Sequence, residues 1–148
     1  MPLDVSIVPH VVNHQSIISM PPGASAHAAA QSMLKHDISS MMVIQDGHLL
    51  GIVTERDMTR QIVANDCQAS HTPLKQIMTH HPKTAHPDDS VFDALERMRD
   101  IKVRHLPLVK LGHVVGMVSM RDLRNYIATL PKRQRRLPIR RVLKKWFP

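Results

Sequence analysis

Apolar positions along the chain form the same succession of patterns twice. In the second half, four apolar residues fall at the spacing of one helical face: Val91, Ala94, Leu95 and Met98. Two short apolar runs follow at Leu106–Val109 and Val114–Val118, as is typical of buried strands. A short extended piece, Lys83-Thr84-Ala85, precedes this helix, and a second helix is expected after Ser119. The pattern therefore predicts the order β-α-β-β-α.

The first half repeats this order. An extended piece at Ile17-Ile18-Ser19 leads to a helix and then to apolar strands at Met41–Ile44 and Leu49–Val53. The chain turns between the strands of each pair at Asp46-Gly47-His48 and Leu111-Gly112-His113, where Gly supplies the positive φ of a tight hairpin. The closing helices carry matching apolar positions: Met58, Ile62, Leu123 and Ile127. Each half thus predicts one β-α-β-β-α unit.

The two halves are copies that align in one register without gaps. Gly51-Ile52-Val53-Thr54-Glu55-Arg56-Asp57 matches Gly116-Met117-Val118-Ser119-Met120-Arg121-Asp122. The same register aligns Ala29 with Ala94 and Met33 with Met98, which indicates a duplication. We predict repeats at 10–65 and 75–128, joined by a polar linker. A unit of this size buries little surface alone, so the two should pack with approximate two-fold symmetry and form two equivalent clefts.

The duplicated motif resembles the CBS domain, and the tandem arrangement resembles a CBS pair, or Bateman module. The pattern Gly-apolar-apolar-[Ser/Thr]-x-x-Asp carries the resemblance, together with Val103–Val109 and the lead-in Ile77-Met78-Thr79. The resemblance covers roughly residues 10–128. It implies an α/β (α+β) fold of two CBS repeats in a stand-alone pair. The basic C-terminal tail, for which a helix is expected, lies outside the resemblance.

The resemblance implies a regulatory site for an adenosine-containing ligand such as AMP, ADP, ATP or S-adenosylmethionine, with no cofactor required. By position, Asp57 and Asp122 would hold ribose hydroxyls, and Thr54 and Ser119 would face ribose or phosphate. Ile52 and Met117 would flank adenine. The residues fit this chemistry, because a carboxylate can accept two hydrogen bonds from a vicinal diol. Arg56 and Arg121 stand beside the aspartates in sequence and could add positive charge near phosphate.

A second interpretation of the same motif is purely structural. [Ser/Thr]-x-x-Asp is an acidic capping box, and such boxes begin many helices that bind nothing. Ser90-Val91-Phe92-Asp93 has the same spacing and is predicted to cap the first helix of the second repeat. Both interpretations of the boxes at Thr54 and Ser119 stay open from sequence alone.

The two clefts are predicted to differ. In the family, a cleft takes its aspartate from one repeat and second-strand residues from the other. The Asp57 cleft would therefore receive Arg104 and His105, whereas the Asp122 cleft would receive Ser39 and Ser40. Because Arg can fork onto phosphate and His can add a donor, we expect the Asp57 cleft to prefer a phosphorylated ligand.

Other chemistries find little support in the sequence. The 11 His scatter through loops, Cys67 is the single cysteine, and no CxxC spacing suggests a metal site. No nucleophile elbow, Walker lysine loop or dinucleotide fingerprint occurs, so we do not expect an enzyme. The chain contains no apolar run of membrane-spanning length and no secretory signal, and the lone cysteine suits a reducing compartment. A cytoplasmic protein is expected.

Charge is concentrated at the C-terminal end. Eight of the 20 basic residues lie in 131–148, which holds no acid, so residues 1–130 carry 12 basic and 12 acidic residues. Ile139, Val142, Leu143 and Trp146 fall on one helical face of this tail, with basic residues opposite. Three roles stay open: docking on this protein or a second subunit, contact with an anionic membrane or nucleic acid, or a solubilising tail.

Two functional hypotheses follow. In the first, the CBS pair binds an adenine nucleotide, forms a homodimer and signals to a separate, unknown effector protein. In the second, the clefts are empty, and the protein acts structurally through its basic tail on a protein, nucleic acid or membrane surface.

Overall fold

The computed structural model describes residues 5–12, 17–132 and 134. Its helices and strands follow one another along the chain, in this order: α1 (Ile7–His10), β1 (Ser19–Met20), α2 (Ala26–His36), β2 (Ser40–Gln45), β3 (His48–Thr54), α3 (Glu55–Asp57), a π-helix (Met58–Val63), a 3₁₀ turn (Ala69–His71), α4 (Leu74–Ile77), β4 (Thr79–His80), α5 (Val91–Asp100), β5 (His105–Lys110), β6 (His113–Ser119) and α6 (Met120–Thr129). The mixed α+β fold class expected from the sequence is confirmed.

The chain divides into two compact units. The first-repeat unit contains Ile17–Lys83 with Leu111–Val114, and the second-repeat unit contains Thr84–Lys110 with the described residues of Met1–Ser16 and Val115–Pro148. Each unit has its own core of buried apolar side chains. Within the described residues, no helix is long and apolar enough to cross a membrane.

The first-repeat unit is built on a sheet with the strand order β1-β2-β3-β4. β1 runs parallel to β2, with Met20 opposite Val43, and β2 and β3 form an antiparallel hairpin. Asp46 and Gly47 both take positive φ at the turn, as a tight hairpin requires. The side chains that fill this core come from the sheet and its flanking helices: Ala26, Ala29, Met33, Met41, Val43, Val53, Ile62, Leu74, Ile77 and Met78.

The second-repeat unit repeats this plan on the β5–β6 hairpin. Its extended lead piece is reduced to a parallel bridge between Ala85 and Leu108, which correspond to Met20 and Val43 in the register of the duplication. Its core combines residues of the repeat with two from the start of the chain: Ile7, Val12, Ala85, Val91, Ala94, Leu95, Met98, Leu106, Leu108, Val118, Leu123 and Ile127.

The register that aligns the two sequences also holds for element boundaries. α2 and α5 begin at Ala26 and Val91, and their N-caps, Ser25 and Ser90, each accept a hydrogen bond from the N–H three residues on. The hairpin strands begin at Ser40 and His105 and at His48 and His113. The predicted duplication is confirmed. The order β-α-β-β-α is found in the first repeat, and in the second the leading strand is replaced by the Ala85–Leu108 bridge. The strands extend past the apolar runs at both ends, because hydrogen-bond pairing continues beyond the buried positions.

The closing helices of the two repeats differ. α6 is a regular helix, whereas α3 continues as a π-helix in which the Ala64 N–H donates to the Thr59 carbonyl at 2.9 Å. The helix then ends at Asp66, which has a φ of 52° and lets the Cys67 N–H reach the Ile62 carbonyl. This is the hydrogen-bond pattern of a Schellman motif. Ile62 and Ile127 are both buried, so the wider turn leaves the core position unchanged.

Residues 5–12 pack on the second repeat rather than on the first. We call residues 5–12 the N-terminal lead segment and residues 72–79 the middle lead segment. The Ile7 N–H donates to the Asp89 carbonyl at 2.9 Å, and the Leu74 N–H donates to the Ala24 carbonyl at 2.8 Å. Since Asp89 aligns with Ala24 in the duplication, the two lead segments bind equivalent places on the two repeats.

Two further pairs of bonds follow the same correspondence. Val8 and Lys75 donate to the carbonyls of Pro87 and Pro22, and Val5 and Thr72 accept from Val91 and Ala26 at 3.1 and 2.8 Å. Ile7 and Leu74 are both fully buried. Residues 10–12, which were expected at the start of the first repeat, therefore lie with the second-repeat core.

Of the expected tail at 131–148, the structure describes 131, 132 and 134, and the proposed helical face from Ile139 to Trp146 lies outside the described residues.

Candidate functional site

The first candidate site is the junction where β3 ends and α3 begins. Thr54 is the N-cap of the helix, and Asp57 is its third residue. Asp57 Oδ2 accepts hydrogen bonds from the Thr54 backbone N–H at 2.8 Å and from the Thr54 hydroxyl at 3.0 Å, and the Asp57 N–H donates to the Thr54 hydroxyl oxygen at 3.3 Å. Both residues are partly buried. The strand end and the helix start thus hold the carboxylate in one position.

The second candidate site is built in the same way at the β6–α6 junction. Asp122 Oδ2 accepts from the Ser119 backbone N–H at 2.7 Å and from the Ser119 hydroxyl at 2.8 Å. The Asp122 N–H donates back to the Ser119 hydroxyl oxygen at 3.1 Å. The predicted capping boxes are therefore formed in both repeats, by Thr in one and Ser in the other, because the hydroxyl is the only part of the N-cap side chain that the box uses.

Each aspartate uses only one of its two carboxylate oxygens within the described residues. All the hydrogen bonds of the Asp57 and Asp122 carboxylates go to Oδ2, and neither carboxylate pairs with a cation in the part of the chain that the structure describes. A carboxylate offers about four acceptor positions over its two oxygens. Capping therefore occupies only part of each carboxylate and does not exclude a ligand.

The predicted cap of α5 is formed only in part. Ser90 Oγ accepts from the Asp93 N–H at 3.0 Å, as expected. The Asp93 carboxylate, however, makes no return bond to the N-cap among the described residues. Asp93 is exposed, whereas Asp57 and Asp122 are partly buried, so the same Ser/Thr-x-x-Asp spacing does not by itself produce the full box.

The residue before the second strand of each repeat lies beside the same repeat's box. The Glu55 N–H donates to the Ser39 carbonyl at 3.0 Å, and the Met120 N–H donates to the Arg104 carbonyl at 2.8 Å. This bond satisfies the first free N–H of each closing helix. Within the second-repeat unit, it brings the backbone of Arg104 next to Ser119 and Asp122.

The remaining predicted site residues differ in exposure. Ile52 is buried in β3 opposite Met42, and Met117 is half-buried in β6. Arg56 and Arg121 are exposed on the closing helices. Each apolar residue lies two positions before its N-cap and each arginine two positions after it, so the four residues hold equivalent positions in the two repeats.

The second-strand residues also differ between the repeats. Arg104 is exposed and His105 half-buried, whereas their counterparts are Ser39, which is half-buried, and Ser40, which is 7% exposed. Ser40 pairs with Thr54 across the β2–β3 ladder. The structure therefore brings Ser40 and Thr54 together in the first-repeat unit. The predicted combination of Asp57 with Arg104 and His105 joins residues of different units and stays a prediction.

One polar network beside the second repeat was not predicted from the sequence. Arg97 Nη1 donates to the Thr84 carbonyl at 2.7 Å and to Asp89 Oδ2 at 3.1 Å, and Asp89 Oδ2 also accepts from the His86 N–H at 2.9 Å. These bonds hold the loop between Ala85 and α5. Ser32 and Ala24 occupy the positions of Arg97 and Asp89 in the first repeat, so the network belongs to the second repeat.

A further ion-pair cluster lies on the exposed side of α5. The Arg99 guanidinium donates to Asp100 Oδ1 at 2.8 Å and to both Glu96 oxygens at 2.8 and 2.7 Å. The hydrogen bond to Asp100 and the negative charges of Asp100 and Glu96 raise the pKa of Arg99. Because the guanidinium is charged with or without these neighbours, the cluster adds ion pairs along the surface of α5 and provides no group that changes its protonation state.

No group of three or more metal-ligating side chains occurs among the described residues. Cys67 is exposed, and its thiol lies 3.8 Å from the Asn65 carbonyl. The histidines are mostly on the surface, where several bond to nearby backbone carbonyls, as His36 does to Ser32.

The model of the CBS domain matches residues 10–64 and again residues 74–129. The chain therefore belongs to the CBS domain family and carries two copies of the domain, as the sequence resemblance indicated. The two matches contain one complete Thr/Ser–Asp box each.

Curated relatives match about two thirds of this chain. The mitochondrial CBS domain-containing protein CBSX3 of Arabidopsis thaliana is 34% identical over 104 residues, which cover 67% of this chain and 50% of the relative. An uncharacterised 17.7 kDa protein of Acidianus ambivalens is 36% identical over 104 residues, which cover 69% of this chain and 62% of the relative. The chain thus spans between half and just under two thirds of the length of these relatives.

Solved structures share the fold. A CBS domain structure with 28% identity superposes with a TM-score of 0.76 over 81% of this chain and 95% of the other. A CBS domain pair in complex with 5′-methylthioadenosine and S-adenosyl-L-methionine has 26% identity and a TM-score of 0.70, covering 77% and 90%. A CBS domain protein from Pyrobaculum aerophilum complexed with AMP has 28% identity and a TM-score of 0.68, covering 73% and 83%.

Proposed function

We propose that this protein is a regulatory module that binds an adenosine-containing nucleotide at its Thr/Ser–Asp boxes. The observation that carries the proposal is the half-used carboxylate at the start of both closing helices. Asp57 and Asp122 are each fixed through Oδ2, which leaves Oδ1 as an acceptor for ligand hydroxyls. A ribose 2′,3′-diol presents two donors at the spacing a carboxylate accepts.

The surrounding residues match the other parts of a nucleotide. Met117 is half-buried and offers apolar surface of the kind that contacts a purine. Ile52 holds the equivalent position in the first repeat but is 7% exposed, so it offers less of this surface. Arg56 and Arg121 are exposed cations close to the start of a helix, where phosphate is favoured by charge and by the helix dipole. Two of the structural neighbours were solved with adenosine-containing ligands, which supports this ligand class over others.

We further propose that the two sites are unequal. Arg104 and His105 are predicted to serve the ligand of Asp57, and Ser39 and Ser40 that of Asp122. Arg104 is exposed and takes part in none of the ion pairs among the described residues, so its guanidinium can bind phosphate. The Asp57 site is therefore the stronger candidate for AMP, ADP or ATP.

The regulatory output follows from ligand-dependent packing of the two repeats. A ligand shifts such an equilibrium only when it binds one arrangement more tightly than the other. We propose that a homodimer is the functional unit and that an effector protein reads its state. Neither role requires a catalytic residue.

A thermal-shift panel tests the binding proposal. AMP, ADP, ATP and S-adenosylmethionine are each added to the full chain and to Asp57→Asn and Asp122→Asn. A ligand at 100 times its Kd stabilises the folded state by about 2.7 kcal/mol. We expect a shift with at least one of these ligands, which is reduced in Asp57→Asn.

The matched control is Ser90→Ala, which removes the N-cap of α5 without touching either box. It should lower the melting temperature but leave the ligand-induced shift intact. Absence of a shift with every ligand would contradict nucleotide binding and favour a structural module that acts through its tail.

A further inference from the structure

The groove that holds the N-terminal lead segment is defined by backbone groups of the second repeat. The carbonyls of Pro87 and Asp89 accept from Val8 and Ile7, and the Val91 N–H donates to Val5. Ile7 fills the apolar end and is fully buried. We call this place the second lead groove, and the equivalent place at Pro22, Ala24 and Ala26 the first lead groove.

The first lead groove shows which side chains such a segment needs. Its occupant, the middle lead segment, contains Pro73 and buries Leu74, Ile77 and Met78, while Lys75 and Gln76 are exposed. The requirement reads Pro-apolar-polar-polar-apolar-apolar. The order has a physical basis, because the single helical turn of α4 places its first and fourth residues, Leu74 and Ile77, toward the core. The extended C-cap residue that follows, Met78, is buried as well.

The C-terminal sequence meets this requirement in the register of the duplication. Residues 138–143 read Pro-Ile-Arg-Arg-Val-Leu, and residues 73–78 read Pro-Leu-Lys-Gln-Ile-Met. Every apolar position is apolar in both, and the two exposed positions, Lys75 and Gln76, correspond to Arg140 and Arg141. The tail thus carries a third copy of the lead sequence.

The N-terminal lead segment fits the requirement less well, although it occupies the second lead groove. Ile7 matches Leu74, but the position of Ile77 is taken by His10, which is exposed. Val8 has a φ of −105° and a ψ of 130°, so the turn is not helical at that residue. A segment with better-matched side chains is therefore present elsewhere in the same chain.

The connection to the groove has the required length. In the first repeat, the chain runs from Glu55, the start of the closing helix, to the buried Leu74. In the second repeat, a connection with the same number of residues runs from Met120 to Ile139. Because the repeats share their fold, the path that carries Leu74 to the first lead groove can carry Ile139 to the second.

We propose that residues 137–144 compete with residues 5–12 for the second lead groove of the same chain. The groove is then a two-state element: either the N-terminal lead segment or the tail donates to the carbonyls of Pro87 and Asp89. The exchange acts on the loop that precedes α5, and it is independent of whether the boxes bind a nucleotide. In this proposal, the apolar face of the tail binds the second lead groove of the same chain rather than a membrane or a nucleic acid.

Hydrogen exchange on the full chain and on a chain ending at residue 134 tests the competition. When the tail is removed, the amides of Ile7 and Val8 should become about tenfold more protected from exchange. This is the expected gain if the tail displaces the N-terminal lead segment in about 10% of full-length molecules, whereas without the tail that segment leaves the groove in about 1% of molecules. The control is the full chain with Arg140→Ala and Arg141→Ala, which should behave like the wild type. Unchanged protection on truncation would overturn the proposal.

A second experiment covers variants that weaken the fold. Ile7→Asp expels the N-terminal lead segment, so the tail should enter and the amides of residues 139–143 should become protected. Adding Ile139→Asp should abolish that protection. Ile7→Asp should lower the urea midpoint much more in the chain ending at residue 134 than in the full chain, because only the full chain has a tail to fill the groove. Equal falls, or tail protection that depends on protein concentration, would contradict docking within one chain.

Discussion

Asp57 accepts two hydrogen bonds from Thr54 on a single carboxylate oxygen, one from the backbone and one from the hydroxyl. These bonds hold the carboxylate in place through Oδ2 and leave Oδ1 available as an acceptor. Asp122 accepts the same two bonds from Ser119, at 2.7 and 2.8 Å. A capping box and a ligand site are therefore compatible uses of the same residues, and stability and binding can be separated by the choice of substitution.

The capping role predicts a stability cost at both sites. Asp57→Ala and Asp122→Ala remove an acceptor from the N-cap N–H and should each destabilise their unit by about 1 kcal/mol. Asp57→Asn and Asp122→Asn retain a side-chain oxygen and should cost less. Urea denaturation gives the comparison. Equal losses for Ala and Asn would mean that the negative charge, rather than the acceptor geometry, stabilises the helix start.

The asymmetry of the sites predicts a result for a repeat-swapping variant. Arg104→Ser with His105→Ser gives the second repeat the residues of the first, Ser39 and Ser40. The change should weaken AMP binding by about tenfold or more, since it removes a charge-assisted contact to phosphate. Adenosine, which lacks phosphate, should bind both proteins alike in calorimetry. A loss that is the same for adenosine and AMP would contradict a phosphate role.

Gly51 is predicted to be intolerant of a side chain. A Cβ there would lie 2.5 Å from Met78 Sδ and 2.8 Å from the Thr79 carbonyl oxygen, so the middle lead segment would have to move. Gly51→Ala should destabilise the protein by about 1–3 kcal/mol. The matched control is Gly23→Ala, where a Cβ meets nothing within 4 Å. Comparable denaturation curves for the two variants would show that the β3–β4 contact tolerates a side chain.

Leu111 is predicted to be a site where stability can be gained. It is 89% exposed and has a φ of 51°, the left-handed region that disfavours residues other than Gly and Asn. Leu111→Asn should therefore stabilise the hairpin by about 0.5–1 kcal/mol in thermal denaturation. Leu34→Asn, at an exposed residue within α2, is the control and should not stabilise, because Asn lowers helix propensity. A stability loss at Leu111 would indicate that its side chain makes an apolar contact.

The hairpins and the boxes were predictable because each depends on residues close in sequence, and the duplication was predictable because the same local patterns recur in one register. Gly47 and Gly112 mark the turns by their backbone freedom, and Thr54 and Ser119 identify the helix starts by their hydroxyls. The register of the duplication then assigned each element of the first repeat a counterpart in the sequence of the second.

Features that depend on distant residues could not be predicted. The bond between Ile7 and Asp89 joins residues far apart in the chain, and the sequence of residues 5–12 matches residues 72–79 too poorly to indicate it. The network of Arg97 and Asp89 similarly depends on how the loop before α5 folds back. The π-helix after Asp57 could not be predicted from the apolar pattern, because Ile62 in the π-helix and Ile127 in the α-helix occupy the same core position.

The proposed ribose contact is tested most directly by calorimetry with AMP and 2′-deoxy-AMP on the wild type and on Asp57→Asn. If the carboxylate binds the vicinal diol, loss of the 2′-hydroxyl should weaken wild-type binding by about tenfold, the effect of one charge-assisted hydrogen bond. In Asp57→Asn the two ligands should then bind with nearly equal, weaker affinity. Equal affinities of AMP and 2′-deoxy-AMP for the wild type would contradict the assignment of the box to ribose.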